Sequence, residues 1–224
     1  MTGLRLEQYA WRGGREAMLR FGSDSGPIVI AALPLFEEAN RTRQFACTIL
    51  RTLGDRGIGS ILPDFPGTGE SVVATVDARL SHQREAYCTL SERLGVKTYA
   101  LSIRSGALLD IDATMAGRWH LAPQPGGDLV RDLERTRTAS RPEKAPKNEY
   151  AGNLLASEML VQLRRAVPRH DGRCRIVRLD TDPRPSDATF TGVPLWRRSE
   201  PGNDTVLAQQ LADDIAHWIA SCES

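Results

Sequence analysis

Apolar runs rich in branched residues alternate along this chain with stretches whose apolar residues recur at helical spacing. That rhythm predicts an α/β architecture with a mostly parallel sheet. It is clearest between residues 15 and 116. Glu16–Phe21 reads as an early strand, and Pro27-Ile-Val-Ile-Ala-Ala-Leu33 as a central strand covered on both faces. From Arg41 to Leu53, Phe45, Ile49, Leu50 and Leu53 mark an amphipathic helix, with Gly54 and Gly57 supplying a stop and a turn. Gly59–Pro63 is the next strand. A glycine-rich turn follows Asp64, and a helix is expected over about residues 79 to 94 under Leu80, Tyr87, Leu90 and Leu94.

The segment Lys97-Thr-Tyr-Ala-Leu-Ser-Ile-Arg-Ser-Gly-Ala-Leu-Leu109 then passes from a strand through a tight turn into a predicted helix. This helix is expected to span 105 to 116 under Ala107, Leu108, Ile111 and Met115, closed by Gly117. Strand, sharp turn and helix make the setting of a nucleophile elbow, whose central residue is flanked two places away by small ones. Here the flanks are Ser102 and Gly106, and the central residue is Arg104. A guanidinium stays protonated and offers no lone pair, so it cannot attack a carbonyl carbon. Ser105 would need Ile103 as its small flank, and Ser102 comes too early, at the strand end. At the top of a sheet, a guanidinium at a helix N-terminus can instead recognise a carboxylate or phosphate.

Between Leu121 and Val167 the sheet rhythm lapses. An excursion over residues 123 to 165 carries two amphipathic segments, one with Leu129, Val130 and Leu133, the other with Leu154, Leu155, Met159, Leu160 and Leu163. It reads either as a short helical lid or as a connecting helix pair. Arg175–Leu179 and Ala188–Val193 supply two last strands, and a helix from Thr205 to Ser221, N-capped by Asp204, closes the chain with Trp218 as core packing. The 224 residues are expected to form one domain.

Twenty-nine Lys plus Arg against 28 Asp plus Glu leave a net charge of +1, so no global field favours nucleic acid or an anionic membrane surface. No apolar stretch approaches membrane-spanning length, and the start, Met1-Thr-Gly-Leu-Arg-Leu-Glu-Gln, lacks a secretory pattern. These features predict a cytoplasmic protein with no stable membrane insertion and no nucleic-acid partner. Cys47, Cys88, Cys174 and Cys222 lack C-x-x-C spacing and read as buried free thiols, with neither a metal nor a cofactor expected.

A serine hydrolase of this architecture presents oxyanion loop, serine, acid and histidine in that order. After Leu33 comes Pro34-Leu-Phe-Glu-Glu-Ala-Asn-Arg-Thr-Arg43, which crowds Glu37, Glu38, Asn40 and Arg43 beside Leu35. The two glutamates suit a helix N-terminus, whose dipole favours negative charge, and either could pair with Arg104. Asp180 and Asp182 stand where the acid is expected, although acids before Pro183 are ordinary loop chemistry. Thr191–Glu200, where the histidine belongs, contains none, and His82, His120, His170 and His217 all lie elsewhere. Asp64-Phe-Pro-Gly-Thr-Gly-Glu-Ser71 lacks the Lys-Ser/Thr ending of a phosphate loop and reads as a turn leaving the sheet.

Asp64-x-Pro-Gly-x-Gly-x-Ser71 resembles the turn after an early core strand in α/β-hydrolases. Pro34 with Glu37-Glu-x-Asn-x-x-Arg43, Arg104-Ser-Gly-Ala-Leu-Leu109, Glu149-Tyr-Ala-Gly152 before Leu154, and Gly192-Val-Pro-Leu-Trp196 resemble one branch of them. That branch is the second type of exosortase A system-associated hydrolase. The resemblance runs from about Pro27 to the end and implies an α/β-hydrolase fold. It also implies a place beside the exopolysaccharide and protein-sorting machinery of Gram-negative bacteria.

Three functions fit these residues. One is a catalytically altered hydrolase relative binding an unidentified small molecule, anionic or acyl, near Arg104, Ser105, Leu35, Asn40 and Arg43. The second is a hydrolase in which Glu37 or Glu38 activates water and Arg104 stabilises the oxyanion. The third is a non-catalytic protein-interaction module.

Overall fold

A computed structural model describes residues 3–140 and 146–224. The chain opens with a hairpin of β1 (Arg5–Trp11) and β2 (Gly14–Phe21), followed by β3 (Ile28–Ala32), α1 (Glu37–Asp55), β4 (Gly59–Pro63), α2 (Leu80–Arg93) and β5 (Thr98–Ile103). A single 3-10 turn, Arg104–Leu108, leads toward β6 (Gly117–Leu121). Then come α3 (Gly126–Ser140), a two-residue-per-strand hairpin of β7 (Glu149–Tyr150) and β8 (Asn153–Leu154), and α4 (Ser157–Arg165). The chain ends with β9 (Cys174–Leu179), β10 (Ala188–Phe190), a 3-10 turn at Leu195–Arg197 and α5 (Thr205–Glu223).

Eight strands form one sheet in the order β1-β2-β4-β3-β5-β6-β9-β10. The β1–β2 and β2–β4 pairs are antiparallel, and the rest are parallel. The strands β3, β4 and β5 are buried throughout, as expected for apolar runs covered on both faces. On one face α1 and α5 pack Phe45, Ile49, Leu53, Leu211 and Ile215 against Val29, Leu101 and Trp119. On the other, α2, α3 and α4 pack Tyr87, Leu133 and Met159 with Ile30, Ile61 and Ala100. In the first turn of α5 the Leu207 N–H donates to Asp204 Oδ1 at 2.9 Å, the expected N-cap.

Two expectations are corrected. Residues 105–116 do not form a helix: only the 3-10 turn over 104–108 is regular, and Gly117 begins a strand. Helical carbonyls in this stretch are claimed by arginines instead. Arg84 Nε donates to Leu108 O, Arg118 Nη2 to Asp110 O and Ala113 O, and Arg169 Nη1 to Ile111 O. Gly117-Arg-Trp-His-Leu121 is instead a fully buried strand, absent from the sequence reading, whose polar residues pair internally. Of the cysteines, only Cys222 is buried; Cys47, Cys88 and Cys174 are partly exposed, and all four are free. Of the excursion, residues 141–145 lie outside the described residues. Among the described residues, no helix is long and apolar enough to cross a membrane.

Candidate functional site

The β5 strand delivers Arg104 to the top of the sheet with φ 54°, a left-handed backbone that a non-glycine residue adopts only when its surroundings hold it there. The turn is tight because Gly106 lies under the end of β3: a Cβ on it would stand 2.3 Å from Ala32 O and 2.7 Å from Leu33 O. Opposite, α1 begins at Glu37, so Glu37 and Glu38 occupy its first turn. Arg104 Nε donates to Glu38 Oε2 at 3.2 Å and Nη2 to Glu38 Oε1 at 3.5 Å, a forked ion pair. The guanidinium carbon also lies 5.4 Å from the centre of the Trp196 ring. Burial pushes the Glu38 carboxyl up, and the attraction of Arg104 offsets this only in part.

The neighbouring Ser105 is fully buried, and its Oγ accepts the Leu35 N–H at 2.9 Å. Leu35 lies in the loop after β3, whose backbone N–H forms part of the oxyanion hole in a serine hydrolase. Here that donor is occupied from within the chain. At the acid position, Asp182 is held by Arg178 Nη1 at 2.7 Å and by Arg184 Nη2 at 2.7 Å, which keeps its carboxyl far below the usual range; the Arg184 bond is the largest contribution. The stretch 191–200, where the histidine is expected, holds Trp196, whose carbonyl accepts from Arg41 Nη1 at 3.2 Å.

Glu38 and Ser105 line none of three cavities between which the other sequence-derived site residues divide. Leu35, Asn40 and Arg43 border one of about 280 Å³, where Arg43 Nη1 donates to Asp64 Oδ1 at 3.0 Å. Leu35, Glu37 and Asn40 border a second of about 350 Å³, which Asn153 and Met159 also line. Arg104 opens instead on a basin of about 410 Å³ between α3 and the loop after β9. Five arginines (104, 131, 135, 184 and 197) line that basin against three aspartates (128, 132 and 182), with Gln124 at its wall. Of these only Arg104 was read as a site residue, with Asp182 weighed as an acid or as ordinary loop chemistry; the α3 residues carry no motif, and their sole signal is charge density at the start of the excursion.

A second polar cluster lies beneath the elbow. Ser102 Oγ donates to Asp110 Oδ2 at 2.5 Å, His120 Nε2 stands 3.0 Å from the same oxygen, and Arg118 Nε donates to Asp110 Oδ1 at 3.2 Å. Ser102, Asp110 and His120 are wholly buried. Burial alone would lower the imidazole, but the hydrogen bond and charge of Asp110 prevail and hold it up at about 9. Ser102 thus faces a carboxylate, and His120 bonds that same carboxylate oxygen rather than the Ser102 hydroxyl.

No protein-family model and no curated protein sequence matches the chain. Solved structures do. An epoxide hydrolase from Vigna radiata is 11% identical with a TM-score of 0.61, over 97% of this chain and 98% of that one. An α/β serine hydrolase without lid from Xanthomonas campestris is 10% identical with a TM-score of 0.60, over 99% and 95%. A haloalkane dehalogenase loop variant from Bradyrhizobium elkanii is 13% identical with a TM-score of 0.60, over 99% and 98%. With its largely parallel eight-stranded sheet flanked by helices, the chain has the α/β-hydrolase fold.

Proposed function

We propose that this protein is a catalytically altered α/β-hydrolase relative that binds a small anionic molecule, a carboxylate or phosphate, or an acyl group in the basin beside Arg104. Its sequence resemblance further suggests work beside bacterial exosortase and exopolysaccharide machinery. The observation that carries the reading is Arg104 itself. It holds the nucleophile's place with two of its nitrogens on Glu38 and its edge on the basin, where arginines outnumber aspartates. A basin of this volume suits a small molecule, and a guanidinium stacked on Trp196 and gripped on one side is preorganised to use its remaining donors.

The test is calorimetric titration of the whole protein with inorganic phosphate and with octanoate, alongside Arg104→Met. Saturable binding weakened at least tenfold in the variant supports the reading. No binding of either anion, or equal binding by both proteins, overturns it. A fluorophosphonate probe should leave the wild-type protein unlabelled, since no serine among the described residues is hydrogen-bonded to a histidine.

A second reading has one observation in its favour: burial raises the Glu38 carboxyl, as a water-activating base requires. It predicts ester turnover without fluorophosphonate labelling, lost in Glu38→Gln and retained in Glu37→Gln.

A further inference from the structure

His120, His170 and Cys174 converge although they come from three places in the chain. His120 is on β6, His170 is in the loop leaving α4, and Cys174 is the first residue of β9. One ligand atom from each lies within 4.8 Å of the others, and this is the one group of three metal-capable side chains among the described residues. His120 Nδ1 and Cys174 Sγ are 4.0 Å apart. Two such donors on a tetrahedral zinc ion stand about 3.5 Å apart, given Zn–N near 2.0 Å and Zn–S near 2.3 Å. A contraction of about half an ångström would therefore close the pair around an ion.

The support behind His120 matches what a metal-binding imidazole needs. Its Nε2 is 3.0 Å from Asp110 Oδ2, so an Nε2–H donating to that carboxylate directs the Nδ1 lone pair toward Cys174. Arg118, the nearest competing cation, is bound to the other oxygen, Asp110 Oδ1. The histidines are in edge-to-face contact at 6.3 Å between centroids, with His170 exposed and Cys174 partly so, which leaves an approach from the surface. Two imidazoles and a thiolate select a borderline-soft ion over calcium or magnesium.

We propose that His120, His170 and Cys174 form a binding site for one zinc-class divalent ion, with Asp110 orienting His120 from behind. The ion would tie the loop between α4 and β9 to β6. Three protein ligands leave one tetrahedral position for water or an exogenous ligand. The site is independent of the basin at Arg104.

The whole protein, stripped with EDTA and dialysed, would be titrated with Zn²⁺ by calorimetry and with Co²⁺ by absorption. The expected result is one ion per chain, a melting temperature raised by several degrees at saturating Zn²⁺, and a thiolate-to-cobalt charge-transfer band with tetrahedral visible bands. Cys174→Ser abolishes the charge-transfer band, His170→Ala weakens binding at least tenfold, and Cys88→Ser and His82→Ala change neither. Circular dichroism would establish that each variant is folded. No stoichiometric binding, a cobalt form without the sulfur band, or undiminished binding in a folded Cys174→Ser/His170→Ala double variant overturns the site.

Discussion

At the scale of single residues, Arg104 and Glu38 act as one unit. Each is largely buried, with side-chain exposures of 9% and 20%, so removing one partner leaves the other's charge poorly solvated. Arg104→Met should cost about 2 kcal/mol of stability and Glu38→Gln about 1 kcal/mol. The double variant should lose less than the sum, with a coupling of about 1 kcal/mol in urea unfolding. The pH dependence has a definite sign. A carboxyl raised in the folded state contributes stability below its unfolded value and loses it as pH rises through the folded value. Without Arg104 the Glu38 carboxyl rises further, so Arg104→Met should be more damaging at pH 8 than at pH 5. Asp182 behaves oppositely, because Arg184 and Arg178 lower its carboxyl. Its contribution is present above an unfolded value near 4 and fades as pH falls. Asp182→Asn should therefore destabilise by about 1 kcal/mol at pH 7, with the gap closing on acidification, read as melting temperature against pH.

At the scale of elements, the sheet centre was legible because β3, β4 and β5 are uninterrupted apolar runs, and α1 and α5 because one face of each is apolar. What escaped was governed by partners remote in sequence. β6 carries Arg118 and His120, which look out of place in a core strand until Asp110 is seen between them. The residues from Ala107 to Met115 have helical spacing, yet Asp110 turns inward to Ser102, Arg118 and His120 while arginines cap the local carbonyls. Hydropathy cannot report such pairing. β1 was equally unreadable, since it is a mostly exposed edge strand. The elbow itself rests on one close approach. Gly106→Ala would drive a Cβ into the carbonyl oxygens of Ala32 and Leu33, both backbone, and should destabilise by about 3 kcal/mol or more. Gly127→Ala, inside α3 with its nearest contact at 3.6 Å, should be neutral or stabilising by up to about 1 kcal/mol. Thermal melts of the two variants side by side would separate a packing requirement from a general aversion to replacing glycine.

At the scale of the whole molecule, identities of 10–13% to enzymes of the same architecture mean that the fold depends on distributed patterning, whereas the reaction depends on a few residues at strand ends. Placing a serine at the elbow should therefore not by itself create serine-hydrolase chemistry. Arg104→Ser places a hydroxyl at the elbow, but residues 191–200, where a base is expected, hold no histidine, the Leu35 N–H is spent on Ser105, and Asp182 is engaged by Arg178 and Arg184. His120 cannot substitute, being wholly buried and held by Asp110. The variant should keep the wild-type circular dichroism spectrum, lose about 2 kcal/mol with the Glu38 pair, and show no fluorophosphonate labelling above wild type. Adding Ser105→Ala to free the Leu35 N–H should leave it equally silent, because an oxyanion donor without a base does not activate a serine. Labelling of Arg104→Ser at rates typical of serine hydrolases would mean that a hidden base lies within reach of the elbow, and the buried cluster under β5 would then be the place to look for it.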